Sequence, residues 1–290
     1  MEGYEGIVTV LKPPGMTSSN AVYDVRRLFG VKRVGHLGTL DPGAAGVLPV
    51  CVGRAARLFD YLVDKEKTYI AEIAFGIATD TQDSYGKVTE TDPNCRVTRE
   101  MLEDVLPKFV GRQKQTAPAY SALKVDGRKM YDLARAGEAV PEKIREITIH
   151  GLRLMEQTGD NRYLIEVRCS RGTYIRTLAF DIGAALGVPA YLAFLLRTAS
   201  GSFTLDTAYS VQELEQRREN GTLSETLMSC EEALKAYPAV SLPENRRIPT
   251  MNALESVCRA PDGIVRVYAN GFLGLGEVRD NRVRLTVHLY

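Results

Sequence analysis

The sequence predicts an α+β fold: a mixed, mainly antiparallel sheet flanked by helices, followed by a smaller β-rich region at the C-terminus. Three observations predict it. Stretches with strand alternation mix with stretches of helical period, without the strict βαβ rhythm of a doubly wound fold. The chain has 290 residues and is 44% hydrophobic, enough for a real core. A proline-rich, apolar-poor segment from Pro238 to Pro249 is followed only by short strands. The expected division is therefore a large domain over 1–237 and a linker with a small domain over 238–290.

The elements follow in order. Gly6 to Leu11 reads as a strand ended by Lys12-Pro13-Pro14-Gly15. Ser18 or Ser19 can cap the next helix, whose stripe is Val22, Val25, Leu28 and Phe29 and whose stop is Gly30. A second helix is expected from Arg54 to Val63. In the segment Thr68 to Gly76, Tyr69, Ala71, Ile73 and Phe75 share one face, the pattern of a half-buried strand. Thr79 to Gly86 is a polar turn leading to a short strand from Lys87. Thr98 can cap a helix carrying Met101, Leu102, Val105, Leu106 and Phe109, ended by Gly111. Tyr120 to Val125 reads as a strand closed by Asp126-Gly127, with a helix from Met130 to Gly137 after it. Strands are expected near Ile147–His150 and over Tyr163–Cys169, then a helix from Tyr174 to Leu186. Tyr191 to Leu196 reads as a short apolar helix or turn, and Tyr209 to Arg218 as a polar surface helix. The last strands are Gly263–Tyr268, Phe272–Gly276 and Val283–Val287.

Charge and cysteine usage narrow the function classes. The formal net charge is only +1, but basic residues outnumber acidic ones between Lys108 and Arg176. A neutral protein with a basic middle can still present a phosphate-binding face, although a solvated lysine-rich surface gives the same bias. No apolar run approaches the length that spans a bilayer. The acidic N-terminus lacks the pattern of a secretory signal. The five cysteines are odd in number and scattered, with no CxxC and no HExxH. That is the pattern of reduced thiols in the cytoplasm, with no metal expected.

One loop stands out: Gly35-His36-Leu37-Gly38-Thr39-Leu40-Asp41-Pro42-Gly43-Ala44-Ala45-Gly46, running directly into the apolar Val47 to Val52. Its glycines permit positive φ and close backbone approach, and Pro42 biases Asp41 away from the α region. Asp41 is thus expected on a shaped loop whose exit is a buried strand. An ordinary Asp-Pro turn accounts for the same composition. Two other segments hold polar residues that a core does not need: Lys67-Thr68-Tyr69 and Arg171-Gly172-Thr173-Tyr174-Ile175-Arg176. Arg176 falls in the first turn of a helix, where a cation opposes the dipole, so it calls for a carboxylate or an anionic ligand.

Together with Lys12-Pro13-Pro14-Gly15-Met16-Thr17-Ser18, Thr79-Asp80-Thr81-Gln82-Asp83 and Tyr120-Ser121-Ala122-Leu123-Lys124, these segments resemble the signature motifs of the bacterial tRNA pseudouridine-55 synthases, in the same order. The resemblance runs from about Gly6 to Arg197, with a weaker match at Gly263 to Gly276. It implies the pseudouridine synthase fold with a reduced PUA-like C-terminal module. It implies an isomerase that converts one uridine of the tRNA T-loop to pseudouridine without a cofactor, acting as a monomer in the cytoplasm.

The resemblance also implies roles. Asp41 matches the catalytic aspartate, which attacks C1′ or removes the 2′ proton. Arg176 matches its arginine partner, and Tyr69 the tyrosine that stacks on the target base and takes part in the final proton transfer. Tyr174 and Leu195 match lining positions of the base pocket. His36 matches the residue that fills the space of a flipped base, Lys12 a support of the loops, and Asp83 a hydrogen bond in the tyrosine loop. This chain departs from the pattern after Asp41-Pro42, where Gly43 and Ala45 replace the Leu and Thr of many relatives. That change is expected to loosen the loop.

Three other functions share some of these features. A guide-RNA-dependent pseudouridine synthase has the same aspartate loop, but usually carries larger RNA-binding regions at both ends, so no guide RNA is expected here. A tRNA chaperone with secondary catalysis would not need every expected catalytic residue, and all are present. A phosphate-cradling nucleotide loop would need a GK[ST] ending, which this loop lacks.

Overall fold

The computed structural model describes all residues except Met1, Glu2, Asp64, Lys65, Ala122 and Asp126, and the side chains of Lys124 and Lys129. Strand β1 (Gly6–Lys12) leads into helix α1 (Ser18–Phe29), which buries Ala21, Val25, Leu28 and Phe29 and stops at Gly30 in the left-handed region. The cap is Thr17, whose hydroxyl accepts the Asn20 N–H, and not Ser18 or Ser19. Ser18 is turned inward instead, against the loop that carries Asp41.

Next come β2 (Val34–His36) and β3 (Ala45–Val52), the latter buried almost throughout. The stretch expected as one helix from Arg54 begins as a 3₁₀ turn over Gly53–Leu58 and ends as the short α2 (Phe59–Leu62). Strand β4 (Lys67–Phe75) buries Tyr69, Ala71, Ile73 and Phe75 on one face, as its alternation predicts. The hairpin of β5 (Ile77–Thr79) and β6 (Val88–Thr91) frames the polar turn. Thr98 caps α3 (Arg99–Val105).

Gly111 does not merely end a helix. It opens β7 (Gly111–Thr116), an edge strand too polar to be read from hydrophobic alternation. The strand expected over Tyr120–Val125 shrinks to β8 (Lys124–Val125), paired with β9 (Arg128–Lys129); Asp126 lies outside the described residues. After α4 (Met130–Arg135), the strand expected at Ile147–His150 is part of the much longer β10 (Ile144–Gly159). It pairs with β11 (Arg162–Cys169), and α5 (Ile175–Leu186) follows with Tyr174 at its N-cap and Gly187 at its C-cap.

The largest correction concerns Tyr191 to Leu196. This run is neither helix nor turn but the middle of β12 (Ala190–Ser200), a central strand of the main sheet. Tyr191 to Leu196 is a continuous apolar run, which periodicity alone does not separate from a helix.

Short strands β13 (Phe203–Thr204), β14 (Ala208–Tyr209) and β15 (Leu227–Met228) add to the same sheet. Between the last two, α6 (Val211–Glu219) is closed by a Ser210–Glu213 capping box. The sheet has eleven strands: eight in the order β14-β1-β3-β12-β4-β11-β10-β7, with β13 paired to β12, β15 to β1 and β2 to β3. Apart from β1–β14 and β3–β12, its pairs are antiparallel. One apolar cluster joins this sheet to α1, α3 and α5.

Beyond the helix α7 (Cys230–Ala233), the strands β16 (Ala239–Ser241), β17 (Ser256–Val257), β18 (Gly263–Tyr268), β19 (Phe272–Arg279) and β20 (Arg282–His288) form a second, five-stranded sheet, with helix α8 (Arg247–Met251) between β16 and β17 in the chain. Ile7, Val47, Leu58, Leu275 and Val287 share a buried cluster, so this sheet packs on the side of β1 and β3. Among the described residues, no helix is long and apolar enough to cross a membrane.

Candidate active site

The loop between β2 and β3 is held by its backbone from three directions. Ser18 donates its hydroxyl to the Leu40 carbonyl at 2.8 Å and accepts the Leu40 N–H at 2.9 Å. On the other side of Asp41, the Lys12 Nζ donates to the carbonyls of Pro13, Met16 and Pro42, at 2.8, 2.7 and 3.2 Å. The Gly15 N–H adds a second bond to the Pro42 carbonyl, 2.8 Å long. From β12, the fully buried Arg197 (1% exposed) donates to the carbonyls of Val47, Thr39 and Gly38, at 2.7, 3.3 and 3.4 Å. Residues 38 to 42 are therefore tied down while the Asp41 side chain stays 44% exposed.

Gly46 makes this arrangement sterically possible. It has φ +111° and lies opposite Arg197 in the parallel pairing of β3 with β12. A Cβ there would meet the Arg197 carbonyl oxygen at 2.2 Å. Gly46→Ala is expected to cost at least about 2–4 kcal/mol, since backbone strain and a backbone clash add. Thermal unfolding followed by circular dichroism checks this; an unchanged midpoint contradicts it.

The carboxylate faces Arg176 from the first turn of α5. Arg176 Nε lies 3.0 Å from Asp41 Oδ2, and its side chain is only 7% exposed. The contact is an ion pair without hydrogen-bond alignment of the N–H. The two terminal nitrogens of Arg176 donate to the carbonyls of Thr81 and Tyr120, each at 3.1 Å, and Asp83 Oδ2 lies 3.8 Å away. A cation in the first turn opposes the helix dipole, and here two carboxylates and two carbonyls offset that cost. Tyr174, the residue at the N-cap, is fixed from β7: Gln115 accepts its N–H at 2.8 Å and donates to its carbonyl at 3.0 Å.

Asp41 stands where two lobes of a cavity meet. The outer lobe, about 740 Å³, is lined by His36, Asp41, Asp83, Tyr85, Tyr131, Arg176, Phe194 and Leu195 among others. The inner lobe, about 400 Å³, adds Lys67, Tyr69, Arg145, Arg171, Tyr174 and Arg197. Both sizes fall in the range of ligand sites, roughly 300–1,000 Å³. The structure thus brings Asp41, Tyr69, Arg176, His36, Tyr174, Leu195 and Asp83 to one cavity. Lys12 does not reach it; this side chain lies behind the loop. Asp83 Oδ1 accepts the Thr81 hydroxyl at 2.6 Å and the Tyr85 N–H at 3.0 Å.

Burial shapes the titrating groups. It pushes the Lys12 amine down to about 8, with the Asp41 charge pulling the other way. His36 is also lowered, by burial and by the Arg197 charge, so its imidazole is neutral near pH 7. Its Nδ1 is buried without a hydrogen-bond partner. Burial raises the Tyr69 phenol, against the nearby Arg197 charge.

Three supporting residues escape a reading of the sequence. Arg197 had a signal, being the one charge in the apolar run of β12. Ser18 looked like a helix cap, and Gln115 sits in a polar edge strand with nothing to mark it. The space beside Gly43 is filled from another element. The Tyr85 ring occupies the place a side chain would take, 2.1 Å from an ideal Cβ.

Comparison with known proteins defines the class. The fold is shared with the solved structure of an H/ACA RNP bound to a substrate RNA containing 2′-deoxyuridine (TM-score 0.74, 21% identity, 98% of this chain and 84% of that one). It is shared equally with the archaeal box H/ACA sRNP Nop10–Cbf5 complex (TM-score 0.70, 22% identity, 98% and 85%). At such identities the likeness concerns the fold alone. A model of the TruB family pseudouridylate synthase N-terminal domain matches residues 26–175, and one of the tRNA pseudouridylate synthase B C-terminal domain matches 176–235. Fold and family models together define a pseudouridylate synthase.

The sequence relatives agree. The tRNA pseudouridine synthase B of Caldanaerobacter subterraneus subsp. tengcongensis is 38% identical over 284 residues, 97% of each chain. That of Bacillus cytotoxicus is 43% identical over 260 residues, 86% of this chain and 83% of the relative. That of Bacillus licheniformis is 46% identical over 240 residues, 81% and 78%. The chain belongs to the TruB family of pseudouridylate synthases.

Proposed function

We propose that this enzyme isomerises uridine-55 in the T-loop of tRNA to pseudouridine, with Asp41 as the catalytic carboxylate. The observation that carries the reading is the ion pair of Asp41 with the buried Arg176, at the junction of two lobes with a tyrosine, Tyr69, in the inner one. The names of the relatives, tRNA pseudouridine synthase B, support tRNA as the substrate.

A uridine inside a folded loop hides its C1′, so it must leave the stack before any group can reach it. Extrusion costs a few kcal/mol, and stacking on an aromatic side chain returns about 1–3 kcal/mol. Tyr69 provides that face, with Tyr174 and Leu195 beside it, while neutral His36 fills the gap the base leaves. Asp41 then attacks C1′ or removes the 2′ proton; both routes need an ionised, aimed carboxylate, which Arg176 stabilises and directs. The N1–C1′ bond breaks, the base turns, and C5 bonds to C1′. The C5 proton leaves late, near the Tyr69 phenol, and N1 gains a proton, so the atoms balance without a redox partner.

Lys12 and Asp83 are positioning residues in this scheme, one for the Asp41 loop and one for Arg176. The enzyme acts in the cytoplasm as a monomer without a guide RNA, and the chain divides at 237/238 into catalytic and PUA-like domains. Mapping pseudouridine in a bare tRNA transcript treated with the purified protein tests the reading. Product at the T-loop uridine alone supports it. Product only after adding a second RNA overturns the guide-free reading, and no product in either case overturns the reaction.

Lys12 makes the rate pH-dependent. The neutral amine has two N–H donors for three carbonyls, so the single-turnover rate is expected to fall as pH rises through about 8. Stability moves the other way. The folded value of about 8 lies below the ordinary 10.5, so between them the unfolded chain binds more protons, and this group's contribution to stability rises with pH. A rate that falls while the melting temperature holds separates loop slackening from unfolding; a flat profile to pH 9 contradicts the role of Lys12.

A further inference from the structure

We propose that Tyr85 is a stacking platform for a second nucleobase, one flanking the target, and that Gly43 is its seat; this rests on reading the cavity as one that takes an RNA nucleotide. Tyr85 is 69% exposed although it lines the outer lobe beside Asp41. Its backbone N–H is held by Asp83, and the ring packs by one edge. One edge lies against Gly43, with ring carbons 2.1, 2.9 and 2.9 Å from where a Cβ would be. No residue other than glycine leaves room for that contact.

The turn that presents the ring is equally constrained. Asp83 Oδ1 accepts both the Tyr85 N–H and the Thr81 hydroxyl, and Asp83 Oδ2 faces Arg176. The Thr79 hydroxyl donates to the Asp83 carbonyl at 2.7 Å. The Leu192 N–H donates to the Gln82 carbonyl at 3.0 Å, which ties the turn to β12. Asp80 Oδ1 accepts the Lys87 N–H at 2.8 Å on the far side. A turn whose backbone is already ordered adds little entropy cost when a base lands on the ring it carries.

The lobe itself has the right chemistry. Phe194 is also exposed at its wall, and Tyr131 lies under the Arg135 guanidinium, 5.4 Å from the ring centre. Aromatic faces with a cation nearby accept any base, because every base has a π-face. The inner lobe holds Tyr69 and Tyr174 and accounts for the target base. The outer lobe is left for a neighbour in the same strand, and Asp41 at the junction marks where one nucleotide ends and the next begins.

The experiment uses the full protein and a T-arm stem–loop carrying 2-aminopurine on the 5′ or the 3′ side of the target uridine. RNA affinity, 2-aminopurine fluorescence and the single-turnover rate at saturation are measured together. One of the two labelled positions is expected to be quenched on binding. Tyr85→Ala should lose that quench and bind about five- to 140-fold more weakly, the range of one base–aromatic stack. Its rate at saturation should fall far less than its affinity, and Tyr85→Phe should restore both quench and affinity.

Gly43→Leu, whose side chain takes the seat of the ring, should reproduce Tyr85→Ala, and the double variant should be no worse than either single one. Wild-type affinity and quench in Tyr85→Ala overturn the proposal, as does a loss confined to the saturating rate or additive losses in the double variant. The two readings fail separately. A Tyr85-dependent quench on an RNA that is never isomerised overturns the reaction and keeps the platform, whereas isomerisation with Tyr85-independent binding overturns the platform alone.

Discussion

Asp41→Asn is expected to lower the single-turnover rate by at least about a thousandfold while leaving RNA affinity within a few-fold of wild type. The substitution keeps the size of the side chain and removes its charge. Both routes at C1′ then lose their active group, and one well-placed acid–base or nucleophilic group contributes about 10²–10⁴ or more. The fold should tolerate the change. Asp41 is 44% exposed and its loop is held through the backbone by Ser18, Lys12 and Arg197. Arg176 keeps the carbonyls of Thr81 and Tyr120 and the nearby Asp83. Pseudouridine formation in the RNA under single-turnover conditions, with filter binding beside it, checks both halves. Normal turnover in the Asn variant removes Asp41 from the chemistry.

Arg176→Ala is the second large effect, and it strikes both rate and stability. Asp41 loses the guanidinium that aims it, so the rate should fall about 10²–10³-fold, the scale of losing one preorganised charge partner. The Thr81 and Tyr120 carbonyls lose their donors, at about 1–3 kcal/mol each if they stay buried. Melting should fall accordingly. Arg176→Lys should recover part of the stability but little of the rate, because an ammonium cannot span Asp41 and both carbonyls with a planar fork. The informative readout is the rate at saturating RNA. If only affinity falls and that rate is unchanged, Arg176 grips the RNA backbone and does not serve Asp41.

Most elements of the fold were legible because their signals are local. The alternation of β4 and β11 and the stops at Gly30 and Gly187 come from the chain's immediate neighbourhood. The failures are where a partner strand decides. β12 lies between β3 and β4, and its residues Tyr191 to Leu196 are apolar at every position, so its pattern carried no period of two. β7 holds its place by backbone bonds to β10 and carries almost no apolar signal. Ser18 and Thr17 are equally suited locally to cap α1, and only the position of Leu40 draws Ser18 away.

By itself, the sequence determined the family and the chemical inventory: an aspartate in a glycine-framed loop, a tyrosine at a strand start and an arginine in a first helical turn. Motif order and residue type carry that information because they are properties of the chain alone. The tertiary structure decided how these groups act on one another. It set Arg176 Nε 3.0 Å from Asp41, although 135 positions separate them in the chain, and put the unsuspected Arg197 behind the loop. It also turned Gly43 from an apparent slack point into the seat of Tyr85. Distances across a sheet depend on strand order and pairing, and those arise only when every strand finds its neighbours at once.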